Sequence, residues 1–283
     1  MTIEIRSVDT LYGLMLTIPR DLWVGQSLAQ YGQYSVGEQH FFAAASQHGG
    51  VAIDVGANLG AHSILMAKFY KHVYAFEPQK LMHMLLRANL ANTENTTTYN
   101  CMVGKEDGFI QMPSLAMLCD QGYNFGGFGT FCASHLDQDV VEYSPMLVRC
   151  LDNVKELWKE DRIALLKVDV ENMEFEVLKG AEKLIRKFQP ILYVENERRE
   201  ESQELVDYIY SLGYKAYWHT PELFLEENWA GNPKCVWADP TICSFNLICV
   251  PEGHWLQIVD TPMCTPDDPF MPKTVQLHVR KEA

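Results

Sequence analysis

The sequence predicts an α/β protein built on a doubly wound, mostly parallel sheet. The first observation is the run from Ile53 to Gly60, which has the form of a buried strand, a glycine-bearing turn and a helix start. The second is Glu77, seventeen residues beyond Gly60, where a second parallel strand is expected to end. The third is a later apolar run, Ile163 to Asp169, which again ends on a carboxylate and precedes a helical stripe. Strands and helices that alternate at this spacing imply right-handed crossovers in a parallel sheet.

Two helices separate the first three strands. The run 51–55 is apolar apart from Asp54 and is bounded by glycines, so it is predicted as a buried strand. Pro78 follows the second strand and suits the first turn of the next helix. The predicted strands are 51–55, 73–76 and 97–103, and the predicted helices are 60–70 and about 78–92.

The regular pattern stops at residues 104–150 and resumes at residue 163. The interruption holds paired glycines and aromatic residues around 122–131, which favours a substrate lid or pocket wall over an ordered surface insertion. Downstream, the apolar stripe from Met173 to Phe188 predicts one helix. The other predicted elements are strands at 163–169, 191–195, 215–218 and 241–251 and a helix at about 200–212.

This order of elements predicts three regions. Residues 1–45 form a lead-in that packs on the ligand site, residues 46–252 form the α/β domain with its insertion, and residues 253–283 form an extended tail. The tail has several prolines and no clear period, and it is a candidate exchange arm for a homodimer. The sequence contains no internal repeat and no low-complexity tract.

The composition limits the cellular compartments and the binding partners that are expected for this protein. The formal net charge of −14 opposes binding to nucleic acid and to anionic membranes, and leaves neutral or cationic substrates. No apolar run is long enough to span a bilayer, and the N-terminus lacks the cationic and apolar parts of a signal peptide. The eight cysteines include no Cys-x-x-Cys pair, so free thiols in a cytoplasmic protein are favoured over disulfides or a zinc site.

The turn from Gly56 to Gly60 predicts a ligand that contains a nucleoside. Its glycines let backbone N–H groups approach a ligand, and Glu77 is placed to accept hydrogen bonds from two ribose hydroxyls. Asn58 replaces the second glycine of the dinucleotide fingerprint, and Asp54 would repel a phosphate but attract an ammonium group. These features favour S-adenosylmethionine, with NAD and a purely structural glycine turn as the alternatives.

Four acidic residues fall at the carboxyl ends of predicted strands, where open α/β sheets bind their ligands. They are Asp54, Glu77, Asp169 and Glu195. Asp169, Glu195 and Asn196 offer oxygen ligands for Mg²⁺ or Mn²⁺, which would lower the pKa of a substrate hydroxyl. Alternatively Asp169, Glu171 or a histidine acts directly as a general base. A third interpretation makes Glu171 and Asn196 helix caps without a chemical role.

Two of the nine histidines lie near the predicted ligand site. His219 follows the sixth predicted strand, so it is a candidate catalytic base that faces the pocket. His62 lies on the first turn after the glycine turn, where simple packing explains it equally well.

Three segments together carry a resemblance to a known family. The segments 54–60, 75–78 and 167–181 resemble the FkbM-type methyltransferases, class I enzymes that depend on S-adenosylmethionine. The resemblance covers about residues 12–252, and the segment 167–181 is its most specific part. It implies a Rossmann-like sheet of seven strands whose last strand is antiparallel, which matches the strand predicted at 241–251.

The resemblance also implies roles for individual residues. Asp54, Gly56 and Asn58 would line the methionine end of the cofactor, Glu77 would bind the ribose, Asn100 and Met102 would lie near the adenine, and Tyr34 and Glu38 would complete the cofactor site from the lead-in. Asp169 would lie near the transferred methyl group. One departure is Asn172, which stands where the family usually has glycine.

The implied activity is methylation of a hydroxyl oxygen on a sugar, a glycan or a small metabolite. Two other functions fit the same sheet: an NAD(P)-dependent oxidoreductase, and a relative that binds the cofactor without catalysis. The acidic turn and Asn58 speak against the first alternative, and the presence of Asp54, Glu77 and Asp169 speaks against the second.

Overall fold

A computed structural model describes residues 4–113, 143–237, 239–259 and 261–270 of the chain. The segment predicted as a lid, 122–131, lies outside the described residues. In chain order the strands are β1 (Arg6–Thr10), β2 (Gly13–Thr17), β3 (Val51–Val55), β4 (Val73–Phe76), β5 (Thr96–Tyr99), β6 (Met102–Val103), β7 (Gly108–Pro113), β8 (Tyr143–Arg149), β9 (Ile163–Val168), β10 (Ile191–Glu195), β11 (Tyr214–His219), β12 (Asn246–Pro251) and β13 (Met263–Cys264). The α-helices are α1 (Val24–Tyr31), α2 (Gly37–Ala45), α3 (Ala61–Met66), α4 (Lys80–Asn89), α5 (Glu174–Lys179), α6 (Glu182–Phe188) and α7 (Arg199–Ser211).

The main sheet has eight strands in the order β13-β11-β12-β10-β9-β3-β4-β5. The five adjacent strands β10, β9, β3, β4 and β5 pair in parallel, whereas β12 is antiparallel to both β10 and β11. The predicted α/β class and the antiparallel last strand are therefore confirmed. The sheet is one strand wider than expected because Met263 and Cys264 pair with Tyr217 and Ala216 on β11.

Two apolar cores lie on opposite faces of the main sheet, as a doubly wound fold requires. One core joins alternate residues of β3, such as Val51 and Ile53, to residues of α5, α6 and α7. The other joins Ala52 to residues of α1, α2, α3 and α4. Since β3 is buried along its whole length, its carboxyl end is fixed inside the sheet.

The stripe predicted as one helix over 173–188 forms two helices, α5 and α6. They meet at Gly180, where a Cβ would lie 2.1 Å from the carbonyl oxygen of Gly104. The apolar stripe is therefore continuous in sequence, but the helix is interrupted where its backbone approaches Gly104. Periodicity alone does not register such a contact.

The third predicted strand, 97–103, is also divided. Its first part is β5, which stays beside β4, and its last part is β6, which leaves the main sheet and pairs with β8. β8 also pairs antiparallel with β7, so that a second sheet has the order β6-β8-β7. This small sheet stands beside the carboxyl ends of the main strands.

The lead-in consists of an antiparallel hairpin, β1 and β2, followed by α1 and α2. Asn89 at the end of α4 holds the hairpin, because its Oδ1 accepts a 2.6 Å hydrogen bond from the N–H of Leu16. Phe41 and Phe42 of α2 enter the second core. The lead-in is thereby attached to the face of the sheet that carries α3 and α4.

The described residues contain no helix with the length and apolar character needed to cross a membrane. Their six cysteines, Cys101, Cys150, Cys235, Cys243, Cys249 and Cys264, are free thiols.

Candidate functional site

The glycine turn between β3 and α3 brings the backbone against the end of β9. Gly56 (φ 80°) and Gly60 (φ 96°) adopt left-handed conformations, and Asn58 between them does so too (φ 52°). A Cβ at Gly56 would lie 1.7 Å from the carbonyl oxygen of Asp169, so only glycine fits there. The close approach places Asp169 directly beside the turn.

Glu77 follows β4 and ties the turn to the strand end. Its Oε2 accepts a 2.9 Å hydrogen bond from the N–H of Asn58, and its Oε1 accepts a 2.7 Å bond from the N–H of Gln79. The side chain is only 4% exposed, and this burial raises the pKa of Glu77 to about 7 despite the two hydrogen bonds. Each oxygen retains a second lone pair for a ligand hydroxyl.

A narrow cleft lies at the ends of β3, β4 and β9. Five of the residues predicted from sequence line it: Gly56, Glu77, Met102, Asp169 and Glu171. Its apolar walls include Phe76, Met112 and Met173. A carboxylate, a glycine backbone and apolar walls in one cleft suit a nucleoside, because its sugar is polar and its base is flat and apolar on both faces.

Asp54 lies behind the cleft. It is fully buried, its Oδ2 accepts a 2.6 Å hydrogen bond from Ser63 Oγ, and its Oδ1 lies 3.2 Å from Lys167 Nζ. The same Nζ lies 3.2 Å from Oδ2 of Asp169, whose side chain is 37% exposed. Since both oxygens of Asp54 are engaged inside the protein, Asp54 faces Lys167 rather than the cleft.

Glu38 and His219 belong to one buried hydrogen-bonded cluster. Glu38 contacts His62 through Oε2, and its Oε1 accepts a 2.8 Å hydrogen bond from the Tyr193 hydroxyl. That hydroxyl also lies 2.8 Å from Nδ1 of His219. Burial opposes ionisation of Glu38, but His62 and Tyr193 lower the pKa of Glu38 to about 2. Neither Glu38 nor His219 is among the residues that line the cleft.

Two other predicted cofactor residues also stand outside the cleft wall. The ring of Tyr34 lies 5.5 Å from that of His62, and burial raises the pKa of Tyr34 well above its usual value. Asn100 donates 2.9 Å hydrogen bonds from Nδ2 to the carbonyl oxygens of Glu77 and Pro78. Asn100 therefore holds the turn that carries Glu77.

A larger cavity of about 440 Å³ adjoins the cleft and shares Met102 and Met173 with it. Its lining is strongly acidic: it includes Glu174, Glu176, Glu195, Glu197, Glu201 and Glu204, and on the basic side Lys105 and Arg198. Arg198 Nη2 lies 3.0 Å from Oε2 of Glu171 at the border of the two spaces. Burial raises the pKa of both Glu171 and Glu174 to about 7.

Asn172, which stands where the resemblance implies a glycine, lines the larger cavity. Its backbone is left-handed (φ 74°), as is that of Glu171 before it (φ 52°). Glycine would adopt this conformation without a steric penalty. In its place, Oδ1 of Asn172 is buried with no hydrogen-bond partner among the described residues.

The predicted magnesium or manganese site lacks support. Within the described ranges, no group of three or more His, Cys, Asp or Glu side chains is arranged to hold a metal ion. Of the predicted ligands, Asp169 is paired with Lys167, and Asn196 donates a 3.2 Å hydrogen bond from Nδ2 to the carbonyl oxygen of Pro269. Glu195 lines the larger cavity, and burial raises its pKa well above its usual value.

Sequence reasoning missed Lys167, Tyr193 and Arg198. The sequence did contain a signal for Lys167, because it lies two residues before Asp169 on a predicted strand and both side chains therefore point to the same face. Tyr193 stands directly opposite Lys167 in the register of β10 and β9. That pairing depends on the sheet order, which the residue pattern does not contain.

A comparison with protein-family profiles tests the family relationship that the sequence motifs indicate. The sequence profile of the methyltransferase FkbM domain matches residues 54–216, more than half of the chain. The chain belongs to the FkbM methyltransferase family. The matched span includes the glycine turn, Glu77 and the segment from Lys167 to Asp169, so the family match contains the cleft described above.

Individual relatives are more distant. The chain is 28% identical over 142 residues to "Methyltransferase 1" of Beauveria bassiana, an alignment that covers 45% of this chain and 57% of that protein. A crystal structure of the FkbM methyltransferase from Methylobacillus flagellatus matches with 17% identity and a TM-score of 0.46, covering 71% of this chain and 43% of that one. The M. jannaschii TYW2 structure in complex with AdoMet matches with 13% identity and a TM-score of 0.41, covering 88% and 86%.

Proposed function

We propose that this FkbM-family protein transfers the methyl group of S-adenosylmethionine to a hydroxyl oxygen of a sugar, a glycan or a small metabolite. The observation that carries the proposal is a pair of adjoining spaces. The cleft bounded by Gly56 and Glu77 meets the larger cavity at Met102 and Met173. A reaction between two bound substrates needs two such spaces in contact, because alignment of the reactants supplies much of the rate.

The residues of the cleft fit the cofactor. Glu77 has free lone pairs for the ribose hydroxyls, and the tight turn at Gly56 leaves the backbone, without a side chain, next to the methionine end. Met102 and Phe76 provide apolar surface for the adenine. When bound, S-adenosylmethionine supplies an activated methyl group on a sulfonium, so the protein contributes mainly orientation and proton removal.

Asp169 is the residue that we assign to the acceptor hydroxyl. It lines the cleft, and its side chain is 37% exposed, so it can both meet a substrate and exchange a proton with solvent. In the proposed reaction its carboxylate accepts the hydrogen bond of the acceptor hydroxyl, takes that proton as the oxygen is methylated, and releases it to water. A positioned base of this kind contributes roughly 10²–10⁴-fold to the rate.

The charge of the larger cavity bears on the acceptor. Even with Glu174, Glu195 and Glu197 set aside because their pKa values are raised, the other three glutamates of its lining outnumber its one lysine and one arginine. This excess of acidic groups disfavours a phosphate or carboxylate on the acceptor. A neutral sugar hydroxyl fits this lining, and so does a hydroxyl on a molecule that carries an ammonium group. The acceptor panel should therefore contain neutral sugars, amino sugars and sugar phosphates, with the phosphates expected to react most slowly.

The proposal is tested with radiolabelled S-adenosylmethionine on that panel, using wild-type protein and Asp169→Asn. We expect wild-type protein to label at least one hydroxyl acceptor and Asp169→Asn to lower kcat by about 100-fold or more. Calorimetry should give the variant nearly wild-type affinity for S-adenosylmethionine, because Glu77 and the turn are unchanged. Asp161→Asn, which removes an exposed carboxylate, serves as the matched control.

Two outcomes would contradict the proposal. A wild-type rate in Asp169→Asn would remove its catalytic role, and unchanged cofactor affinity in Glu77→Ala would remove the ribose assignment. A thermal shift with NAD but none with S-adenosylmethionine would instead favour the oxidoreductase.

A further inference from the structure

Lys167 is a buried cation that the proposed reaction does not yet use. It is 1% exposed in β9, and no other lysine or arginine in the described ranges is buried. Its Nζ lies 3.2 Å from Oδ1 of Asp54 and 3.2 Å from Oδ2 of Asp169. Lys167 therefore links a fully buried carboxylate to one that lines the cleft.

Asp54 is fixed from two sides. β3 and β9 are adjacent parallel strands, and Asp54 stands directly opposite Lys167 in their register. The other oxygen of Asp54 accepts the hydrogen bond of Ser63 Oγ from α3. Because Asp54 cannot move, the ammonium group of Lys167 has a defined position from which to hold Asp169.

Fold stability does not account for this arrangement. All the other residues of β9 are buried and apolar, so an apolar side chain would suit position 167. Buried ion pairs are often no more stabilising than well-packed apolar residues of the same size. The ion pair between Lys167 and Asp169 is further weakened because solvent reaches the partly exposed carboxylate of Asp169. What packing leaves unexplained is that the lysine reaches Asp169, one of the three carboxylates that line the cleft.

We propose that Lys167 is a positioning residue that holds the Asp169 carboxylate in place and aimed at the acceptor. The inference rests on the proposed function, in which Asp169 takes the acceptor's proton.

The test removes the cation without leaving Asp54 unpaired. The double variant Asp54→Asn/Lys167→Met loses one charge of each sign and keeps both side-chain shapes. Its control is Asp161→Asn/Lys155→Met, the same pair of changes at exposed positions. Steady-state kinetics of methyl transfer measure kcat and the KM for the acceptor in wild-type protein and in both double variants.

We expect the double variant to lose turnover without losing affinity for the acceptor, because Asp169 is present but no longer held. At pH 7 kcat should fall by about 100-fold, as for a misplaced catalytic group, while KM for the acceptor stays within about threefold. A folded double variant with wild-type kcat overturns the inference. Should the double variant not fold, kcat of Lys167→Gln decides. A wild-type kcat in the variant overturns only the role of Lys167, whereas absence of methyl transfer by wild-type protein overturns the proposed function on which that role rests.

Discussion

Glu77 is a carboxylate that is 4% exposed and held by two backbone N–H groups. Burial raises its pKa from 4.5 to about 7. Because the folded value is the higher one, the protonated carboxyl stabilises the fold fully below about pH 4.5, and that contribution is lost as the pH rises through about 7. The ionised form, which accepts ribose hydrogen bonds best, is therefore populated only near and above neutral pH.

We expect affinity for S-adenosylmethionine to rise by about tenfold between pH 6 and pH 8, as Glu77 ionises. Calorimetry at the two pH values measures the change. Glu77→Gln should bind more weakly at pH 8 and show little pH dependence. A tenfold rise that persists in Glu77→Gln would assign the effect to another group, such as Glu171, whose pKa is also about 7.

At the scale of elements, the junction of α5 and α6 fixes the wall of the larger cavity. Gly180 packs its backbone on the carbonyl of Gly104, and its own carbonyl oxygen accepts a 2.9 Å hydrogen bond from the N–H of Asp152. Gly104 lines the cavity. The position of this wall therefore depends on the absence of a side chain at residue 180.

Gly180→Ala should lower the free energy of unfolding by about 1–3 kcal/mol, because its Cβ must displace backbone atoms. The φ of Gly180 (−75°) is open to alanine, so the cost comes from the contact alone. Gly108→Ala is the matched control, since a Cβ there meets nothing within 4 Å. Denaturant unfolding measures both variants, and equal stabilities would contradict the close packing.

At the scale of the whole molecule, residues 261–270 return to the main sheet after it is complete. β13 pairs with β11, and the carbonyl oxygen of Pro269 accepts hydrogen bonds from Asn196 and Ser202. The ring of Phe270 lies 4.6 Å from the guanidinium carbon of Arg199 and packs edge-on against Trp218. This segment thus joins the sheet edge to α7 and to the residue after β10.

A chain that ends at Val259 should be less stable than one that ends at Phe270 by about 3 kcal/mol, because it loses these hydrogen bonds and the burial of Phe270. For a protein of this size the Tm should fall by roughly 5–10 °C. Thermal unfolding followed by tryptophan fluorescence measures the difference. Equal melting temperatures would show that the segment does not contribute to the stability of the sheet.

The sequence alone determined the fold class, the seven strands of the expected sheet and the carboxylates at their ends. These features are local: apolar runs of strand length, a glycine turn and an acidic residue at a strand end are readable without knowledge of neighbours. Glu77, Gly56 and Asp169 were predicted for this reason, and the structure places all three on one cleft. The same reasoning predicted one helix over 173–188 and a metal site at Asp169, Glu195 and Asn196. The structure supports neither, because a local pattern does not contain the residues that contact these positions from elsewhere in the fold.

The tertiary structure decided which partners each charged group meets. Glu38 meets Tyr193 across 155 residues of chain, and Asn196 meets Pro269 across 73, which turns a predicted metal ligand into a hydrogen-bond donor for the tail. Lys167 acquires its place between Asp54 and Asp169 only when β3 and β9 become neighbours. Long-range electrostatic and packing contacts depend on sheet order and register, and these arise when the whole chain folds rather than from any local run of residues.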